Sequence, residues 1–263
     1  MENESKRGNV TVHEPFEKTY PNADTIVVFL HGFIGSPNQF EDLADFAYAH
    51  NCSVLSLLLP GHGGTAKEFR KFRLNNWERH LEDELARVSA SYQNVILVGH
   101  SIGGLLSLNA SLNKNFNIKG VLLLSSPLRL KYSPHTLSVG IQLYLFPKRT
   151  DEILEAYRKA NSITVSSIFS YMFWLKQTRD VYKLIKKTAS NLPAITVSTT
   201  VLHSRKDELV SLKSADLFRD GLTNAEKKII TLNESWHAFY PPEERAVIRQ
   251  ELMHLIDISA KTE

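Results

Sequence analysis

Residues 94–105 read NVILVGHSIGGL, and the fold class turns on this stretch. The run Val95–Val98 is apolar and largely β-branched, as in a strand buried on both faces. It breaks at Gly99-His100-Ser101-Ile102-Gly103 and resumes as Gly104-Leu105-Leu106, the opening of a helix. G-x-S-x-G between a strand and a helix presents a serine on a sharp, strained turn with its Oγ projecting into a site. Gly99 and Gly103 stand where any Cβ would crowd the strand against the helix. The N–H groups at the start of that helix point toward negative charge forming beside the serine. Such a pattern is common by chance, and the strand–turn–helix setting gives it weight. Ser101 is the candidate nucleophile.

Outward from this turn, strand and helix patterns alternate. Thr25–Leu30, Cys52–Leu58, Gly120–Leu124, Thr199–His203 and Lys228–Leu232 read as strands. A helix is expected from Ser36, with Ser36 as N-cap, Pro37 at the first helical position and Gln39 completing a capping box. Phe40, Leu43, Ala44 and Ala47 would form its apolar face. Trp77, Leu81, Leu85 and Val88 mark a second amphipathic helix. A third covers about Ser211–Asp220 and is closed by Gly221 in the C-terminal glycine position. The last, Glu243–Ile258, carries Ile248, Leu252, Leu255 and Ile256 on one side. This alternation predicts an α/β architecture, a mostly parallel sheet with helices on both faces.

The pattern is interrupted between about Leu128 and Asn191. The expected organisation is a core of residues 1–127 and 192–263 with a helical cap insertion at 128–191. Thr150 is the expected cap of one helix, carrying Ile153, Leu154 and Tyr157. A longer helix is expected through Ile168, Met172 and Leu175 to Val181, Leu184 and Ile185. The insertion is dense in aromatics and holds 11 basic and 4 acidic residues, so it is net +7 in a chain of formal charge +3. Most of the aromatics serve the insertion's own packing. A remaining face, with Phe173 and Trp174 as candidates, would roof the serine and bind an acyl chain.

Composition narrows the function classes. A charge of +3 over 263 residues gives no strong pull toward nucleic acid. The single cysteine, Cys52, allows no internal disulfide and fits a reducing compartment. The opening MENESKRGNV has no apolar segment of a secretory signal, and no run approaches the roughly 20 apolar residues of a membrane span. The expected location is cytoplasmic. There is no H-E-x-x-H and no phosphate-cradling G-x-x-x-x-G-K-[ST], so neither a metal nor another cofactor is expected.

Three further segments follow the order required by a serine nucleophile. Leu30-His31-Gly32-Phe33-Ile34-Gly35-Ser36 leaves a strand end where Phe33 can offer a main-chain N–H. With the N–H of Ile102, it would form the pair of donors that an oxyanion needs. His203-Ser204-Arg205-Lys206-Asp207-Glu208-Leu209-Val210 offers a carboxylate past another strand. Asp207 is preferred over Glu208 by its spacing from the strand and from Val210. Asn233-Glu234-Ser235-Trp236-His237-Ala238 places a histidine before the last helix. The chain order Ser101, Asp207, His237 is nucleophile, acid and base in succession.

These segments resemble the α/β-hydrolase superfamily, specifically its small-capped carboxylesterases and monoacylglycerol lipases. The likeness rests on LHGFIGS at 30–36, LLPGHGGT at 58–65, VGHSIGG at 98–104, LLSSPL at 123–128, HSRKDELV at 203–210 and SWHAF at 235–239. It implies a cofactor-free serine hydrolase of small-molecule acyl esters, short-to-medium acyl esters or monoacylglycerols, with Ser101 as nucleophile, Asp207 as acid, His237 as base and Phe33 and Ile102 as oxyanion donors. The same machinery serves thioesterases, amidases or peptidases and C–C bond hydrolases, and a hydrolase shell can also persist as a non-catalytic binding protein. Oligomeric state is not legible.

Overall fold

The computed structural model describes residues 12–131, 151–163 and 174–260. Seven strands form one sheet: β1 (Phe16–Lys18), β2 (Thr25–Leu30), β3 (Ser53–Leu57), β4 (Asn94–His100), β5 (Ile118–Leu124), β6 (Ser198–Ser204) and β7 (Lys227–Leu232). Their spatial order is β1-β3-β2-β4-β5-β6-β7, and only β1 runs antiparallel to its neighbour. The described helices are α1 (Glu41–Ala49), α2 (Ala66–Phe69), α3 (Leu74–Ser89), α4 (Ile102–Ala110), α5 (Glu152–Ala160), α6 (Leu175–Asn191), α7 (Lys213–Gly221) and α8 (Pro242–Ser259). The α/β architecture expected from the alternation is the one observed.

Strand periodicity explains the two apolar layers. Ile26, Val28, Leu30, Val95, Leu97, Val121 and Leu123 point to one face, where they meet Trp77, Leu81 and Leu85 of α3 and Leu105 of α4. Val27, Phe29, Ile96, Val98, Leu122 and Leu124 point to the other, against Leu43, Ala44 and Ala47 of α1 and Leu252 and Leu255 of α8. Each large side chain so buried contributes roughly 1.5–3 kcal/mol of transfer free energy. The register pairs Leu30 with Gly99 and His100 with Leu124, so β2, β4 and β5 end together. From β2 the chain steps outward to β3, then returns to the other side of β2 for β4. Such a reversal opens a crevice at the carboxyl ends of the strands.

Several local expectations change. Ser36 caps a 3-10 turn, Pro37–Phe40, by accepting from the Asn38 N–H at 3.2 Å, and α1 follows from Glu41. Gln39 completes no box; its amide nitrogen is buried without a partner among the described residues. The reciprocal box is instead Thr65–Glu68, at the head of α2. Gly221 is the last residue of α7 and has no positive φ. Its lack of a side chain makes room for Leu192, whose Cδ1 a methyl group there would overlap. Asp151 caps α5, accepting from the Leu154 N–H at 2.9 Å. Thr150 lies outside the described residues, as do Ile168, Met172 and Phe173. Strand β1 carried no sequence signal.

Helix α6 lies in the layer flanking the sheet, against α3 and α4. Its Asp180 is buried and takes both arms of the Arg73 guanidinium, with Nη2 at 2.9 Å from Oδ1, and also accepts from the Leu74 N–H at 3.3 Å. Gln177 donates to the carbonyls of Arg70 and Phe72 at 2.8 and 3.0 Å. Among the described residues no helix is long and apolar enough to cross a membrane.

Asp180→Ala leaves the Leu74 N–H and a part-buried guanidinium without their acceptor. A loss of about 1–3 kcal/mol is expected, since Arg73 is exposed enough to find water. Thermal unfolding of the variant measures it; an unchanged midpoint would remove the pair from the contacts holding α6 in place.

Candidate active site

The turn between β4 and α4 is built from the absence of side chains. Methyl groups on Gly99, Gly103 or Gly104 would overlap the Gly104 backbone, the Leu30 carbonyl oxygen and the Ser126 hydroxyl respectively. Close approach of α4 to the ends of β2 and β4 forces Ser101 to φ 53° and ψ −123°, a conformation that costs a non-glycine residue about 1–3 kcal/mol. Its N–H donates to the Leu124 carbonyl at 2.8 Å, which ties the turn to β5. Ser101 is 8% exposed.

The loop after β2 lies against this serine: a Cβ on Gly32 would stand 3.1 Å from Ser101 Cβ. Two buried histidines fix the loop. His62 Nε2 donates to the Phe33 carbonyl at 2.7 Å. His31 Nδ1 donates to the Gly32 carbonyl at 2.9 Å, while its Nε2 accepts from the Leu59 N–H at 3.0 Å. Burial pushes His62 down to about 4, so its ring is neutral near pH 7. The Phe33 ring is edge-on to Phe69, Trp77 and Trp174. Ile102 opens α4, so its N–H is among the helix-start donors with no acceptor inside the helix.

Asp207 is fully buried in the loop after β6. Its Oδ1 accepts from the N–H groups of Leu209 and Val210, each at 2.8 Å. Its Oδ2 is 3.0 Å from His237 Nδ1. Burial alone would raise this carboxyl, but the His237 charge and the donors outweigh it and hold it at about 2. An ionised Asp207 keeps the proton of neutral His237 on Nδ1 and leaves Nε2 with a lone pair. Burial disfavours the imidazolium too, yet Asp207 and then Glu208 overcome that, and the His237 pKa is raised above 6.5.

Of the two neighbouring carboxylates, Asp207 is therefore the one bonded to the imidazole. Glu208, also buried, accepts instead from the His237 main-chain N–H at 3.1 Å and from the Tyr157 hydroxyl of α5. His100, adjacent to Ser101, links the loops: its Nε2 donates to the His237 carbonyl at 2.8 Å, with ring centroids 4.7 Å apart. The five site residues expected from sequence thus lie past the carboxyl ends of four strands: Phe33 after β2, Ser101 and Ile102 after β4, Asp207 after β6 and His237 after β7. His100 and Tyr157 were not expected there. The first sits inside the glycine motif and could have been suspected; the second depends on how α5 packs, which no local pattern records.

Trp174 is buried against Phe33 and Phe69, so its ring faces the loop beneath it. A cavity of about 380 Å³ lies between α5, α1 and α8, floored by Phe40, Leu43 and Ile248 and reaching His100 and Ala238. Among the described residues, no group of three or more His, Cys, Asp or Glu side chains could hold a metal ion.

A family model described as "Serine aminopeptidase, S33" (Hydrolase_4) matches residues 21–244. A carboxylesterase of Bacillus subtilis (strain 168) is 23% identical over 258 residues, spanning 94% of this chain and 98% of the relative. A thermostable monoacylglycerol lipase of Bacillus sp. (strain H-257) is 22% identical, spanning 85% of this chain and 86% of the relative. A solved structure from work on LipS and LipT, two metagenome-derived lipolytic enzymes, superposes with a TM-score of 0.73 at 18% identity, covering 93% of this chain and 98% of that one.

The crowding at the turn gives a direct test. Gly103→Ala sets a methyl group against backbone atoms of β2 that cannot swing away, so its cost is expected at or above the ~3 kcal/mol upper end of ordinary overpacking. Chemical denaturation measures it, and a variant as stable as the wild type would refute the close approach.

Proposed function

We propose, from the premise that the chain belongs to the serine aminopeptidase S33 (Hydrolase_4) family of α/β-hydrolases, that it hydrolyses carboxylic esters through an acyl-enzyme, with Ser101, His237 and Asp207 as its triad. The observation that carries this reading is the buried Asp207–His237 pair, which leaves Nε2 as the free base, on a loop that His100 anchors to the strained serine turn. His237 Nε2 takes the hydroxyl proton as Ser101 Oγ attacks the ester carbonyl. The N–H groups of Phe33 and Ile102 receive the developing oxyanion, each worth roughly 3–4 kcal/mol of barrier. His237 returns the proton to the leaving alcohol, and water then releases the acid by the same route.

Residues 128–191 act in this reading as the cap on a core of 1–127 and 192–263. Support comes from the contacts of its described parts with the oxyanion loop. The Ser162 N–H donates to the Ile34 carbonyl at 3.0 Å, the Ser162 hydroxyl bonds the Gly35 carbonyl, and Trp174 packs on Phe33. A roofed site suits short-to-medium acyl esters or monoacylglycerols better than triglycerides. Hydrolysis of aminoacyl amides is the second reading, favoured by the family's description. The two relatives reported above, which span most of the chain, carry ester-hydrolase names instead.

The deciding experiment is a panel of p-nitrophenyl esters of graded length beside monoacylglycerols, thioesters and aminoacyl anilides, with fluorophosphonate labelling in parallel. Esters are expected to turn over fastest, and Ser101→Ala to remove both labelling and activity by on the order of 10⁴-fold or more while the protein stays folded. A folded Ser101→Ala variant with wild-type turnover would exclude the mechanism; anilides hydrolysed faster than every ester would favour the second reading.

The pH profile follows from the carboxylates around His237. The reaction needs the neutral ring, and the carboxylates favour the protonated one, so kcat/KM is expected to rise with pH along a limb centred above 6.5. Asp207→Asn removes the larger of these stabilising charges and should move any residual limb to lower pH, with a loss of orders of magnitude in rate. A wild-type limb well below 6.5 would contradict the assignment.

A further inference from the structure

Glu208 is a second fully enclosed carboxylate beside His237, and the proposed mechanism does not use it. It is 3% exposed. One oxygen accepts from the His237 main-chain N–H at 3.1 Å, and the other from the Tyr157 hydroxyl, which α5 brings from the insertion. Asp207 holds the ring of His237 and Glu208 holds its backbone, from adjacent positions on one loop. That loop is also held from the start of the insertion: the Lys131 N–H donates to the Leu209 carbonyl at 2.8 Å, and Lys131 Nζ to the Asp207 carbonyl at 2.6 Å. A buried carboxylate costs several kcal/mol unless its oxygens are satisfied. Here one satisfying donor comes from the base-bearing loop and another from the insertion.

We infer that Glu208 and Tyr157 are positioning residues for His237: the carboxylate fixes the backbone of the base, and the hydroxyl of α5 fixes the carboxylate. The inference rests on the reading of His237 as general base. The consequence is that correct placement of the base depends on the packing of α5. Without the Tyr157 hydroxyl, Glu208 loses one of its restraints. Without the charge, the backbone N–H can still meet an amide oxygen, while the imidazolium loses a favourable neighbour.

The two substitutions therefore differ in signature. Among the described residues, the groups around His237 are Asp207 and Glu208 from the β6–α7 loop, His100 from the end of β4, His203 within β6, Tyr240 from its own loop and Tyr157 from α5, with the Lys131 ammonium behind Asp207 on its main-chain carbonyl. Burial pushes His100 and His203 down to about 3 and 4, so neither carries charge near pH 7. Burial pushes Tyr157 and Tyr240 up, so both stay protonated. Among the described residues, Asp207 and Glu208 are then the negative charges facing the ring. Removing the second destabilises the imidazolium and moves the acid limb to lower pH. Tyr157→Phe removes no charge and should leave the limb in place.

The test measures ester kcat and KM, the pH dependence of fluorophosphonate labelling and the thermal midpoint for Glu208→Gln, Tyr157→Phe and the wild type, with His237→Gln as reference. Glu208→Gln is expected to lower kcat by about tenfold or more, with KM changed far less, because a base displaced by a fraction of an ångström loses rate rather than binding. Its acid limb should fall by about half a pH unit or more. Tyr157→Phe keeps the ring packing, so it should fold, lower kcat by a smaller factor and keep the wild-type limb. If both variants keep wild-type kcat and pH profile and lose only thermal stability, the two residues are structural and the inference fails while the triad stands. If labelling is indifferent to His237→Gln, the underlying reading of His237 fails, and this inference with it.

Discussion

Everything at the site depends on a contact between backbones. Helix α4 starts so close to the ends of β2 and β4 that positions 99, 103 and 104 have no room for a Cβ. That approach fixes Ser101 at positive φ and sets its neighbours: the Gly32 loop on one side, and His100 reaching the His237 carbonyl on the other. The strain is borne by apolar burial on both sides of the sheet, with Ile102 and Leu105 of α4 in one cluster and Val98 of β4 in the other. A looser turn would relax the serine and also separate it from the Gly32 loop and from His237.

The parallel strands were legible because each is a short, wholly apolar run bounded by turn residues, and burial on both faces writes that directly into composition. β1 was not. Phe16, Glu17 and Lys18 show no periodicity, and the strand forms on the edge of β3, where main-chain groups are open to pairing and Phe16 can pack on the core. The long helices were legible from their apolar faces, but their ends were less so. Gly221 reads as a helix stop by residue type, whereas its reason is the Leu192 side chain from a distant segment. Gln39 has the spacing of a capping box, and the 3-10 turn after Ser36 carries it elsewhere.

The site divides in the same way. Chain order and loop position bring forward Ser101 and His237, and spacing from the strand and from Val210 prefers Asp207, because these follow from where strands end. The separate roles of Asp207 and Glu208 do not follow from composition: both are acidic, adjacent and buried. They are distinguished by the two donors that Leu209 and Val210 aim at Asp207, which turn its second oxygen to the imidazole. Tyr157 was invisible as a site residue because its relevance depends on α5 reaching a loop some fifty positions downstream.

The histidines show how the site selects where a proton resides. His31, His62, His100 and His203 are all buried, and burial pulls each of them down; the last three fall to about 4, 3 and 4. His237 is as deeply enclosed, yet its pKa is raised, because Asp207 and Glu208 face it. Neutral rings can sit within 5 Å of a protonated imidazole without opposing it strongly, as His100 does at a centroid distance of 4.7 Å from His237. They also supply N–H donors to carbonyls: His62 to Phe33, and His100 to His237. A lysine or arginine in those positions would hold the same carbonyls but repel a protonated His237, the form that Asp207 and Glu208 favour. Histidines kept neutral by burial meet both requirements, so the enclosed proton acceptor with the raised pKa is the one on the loop beside the serine turn.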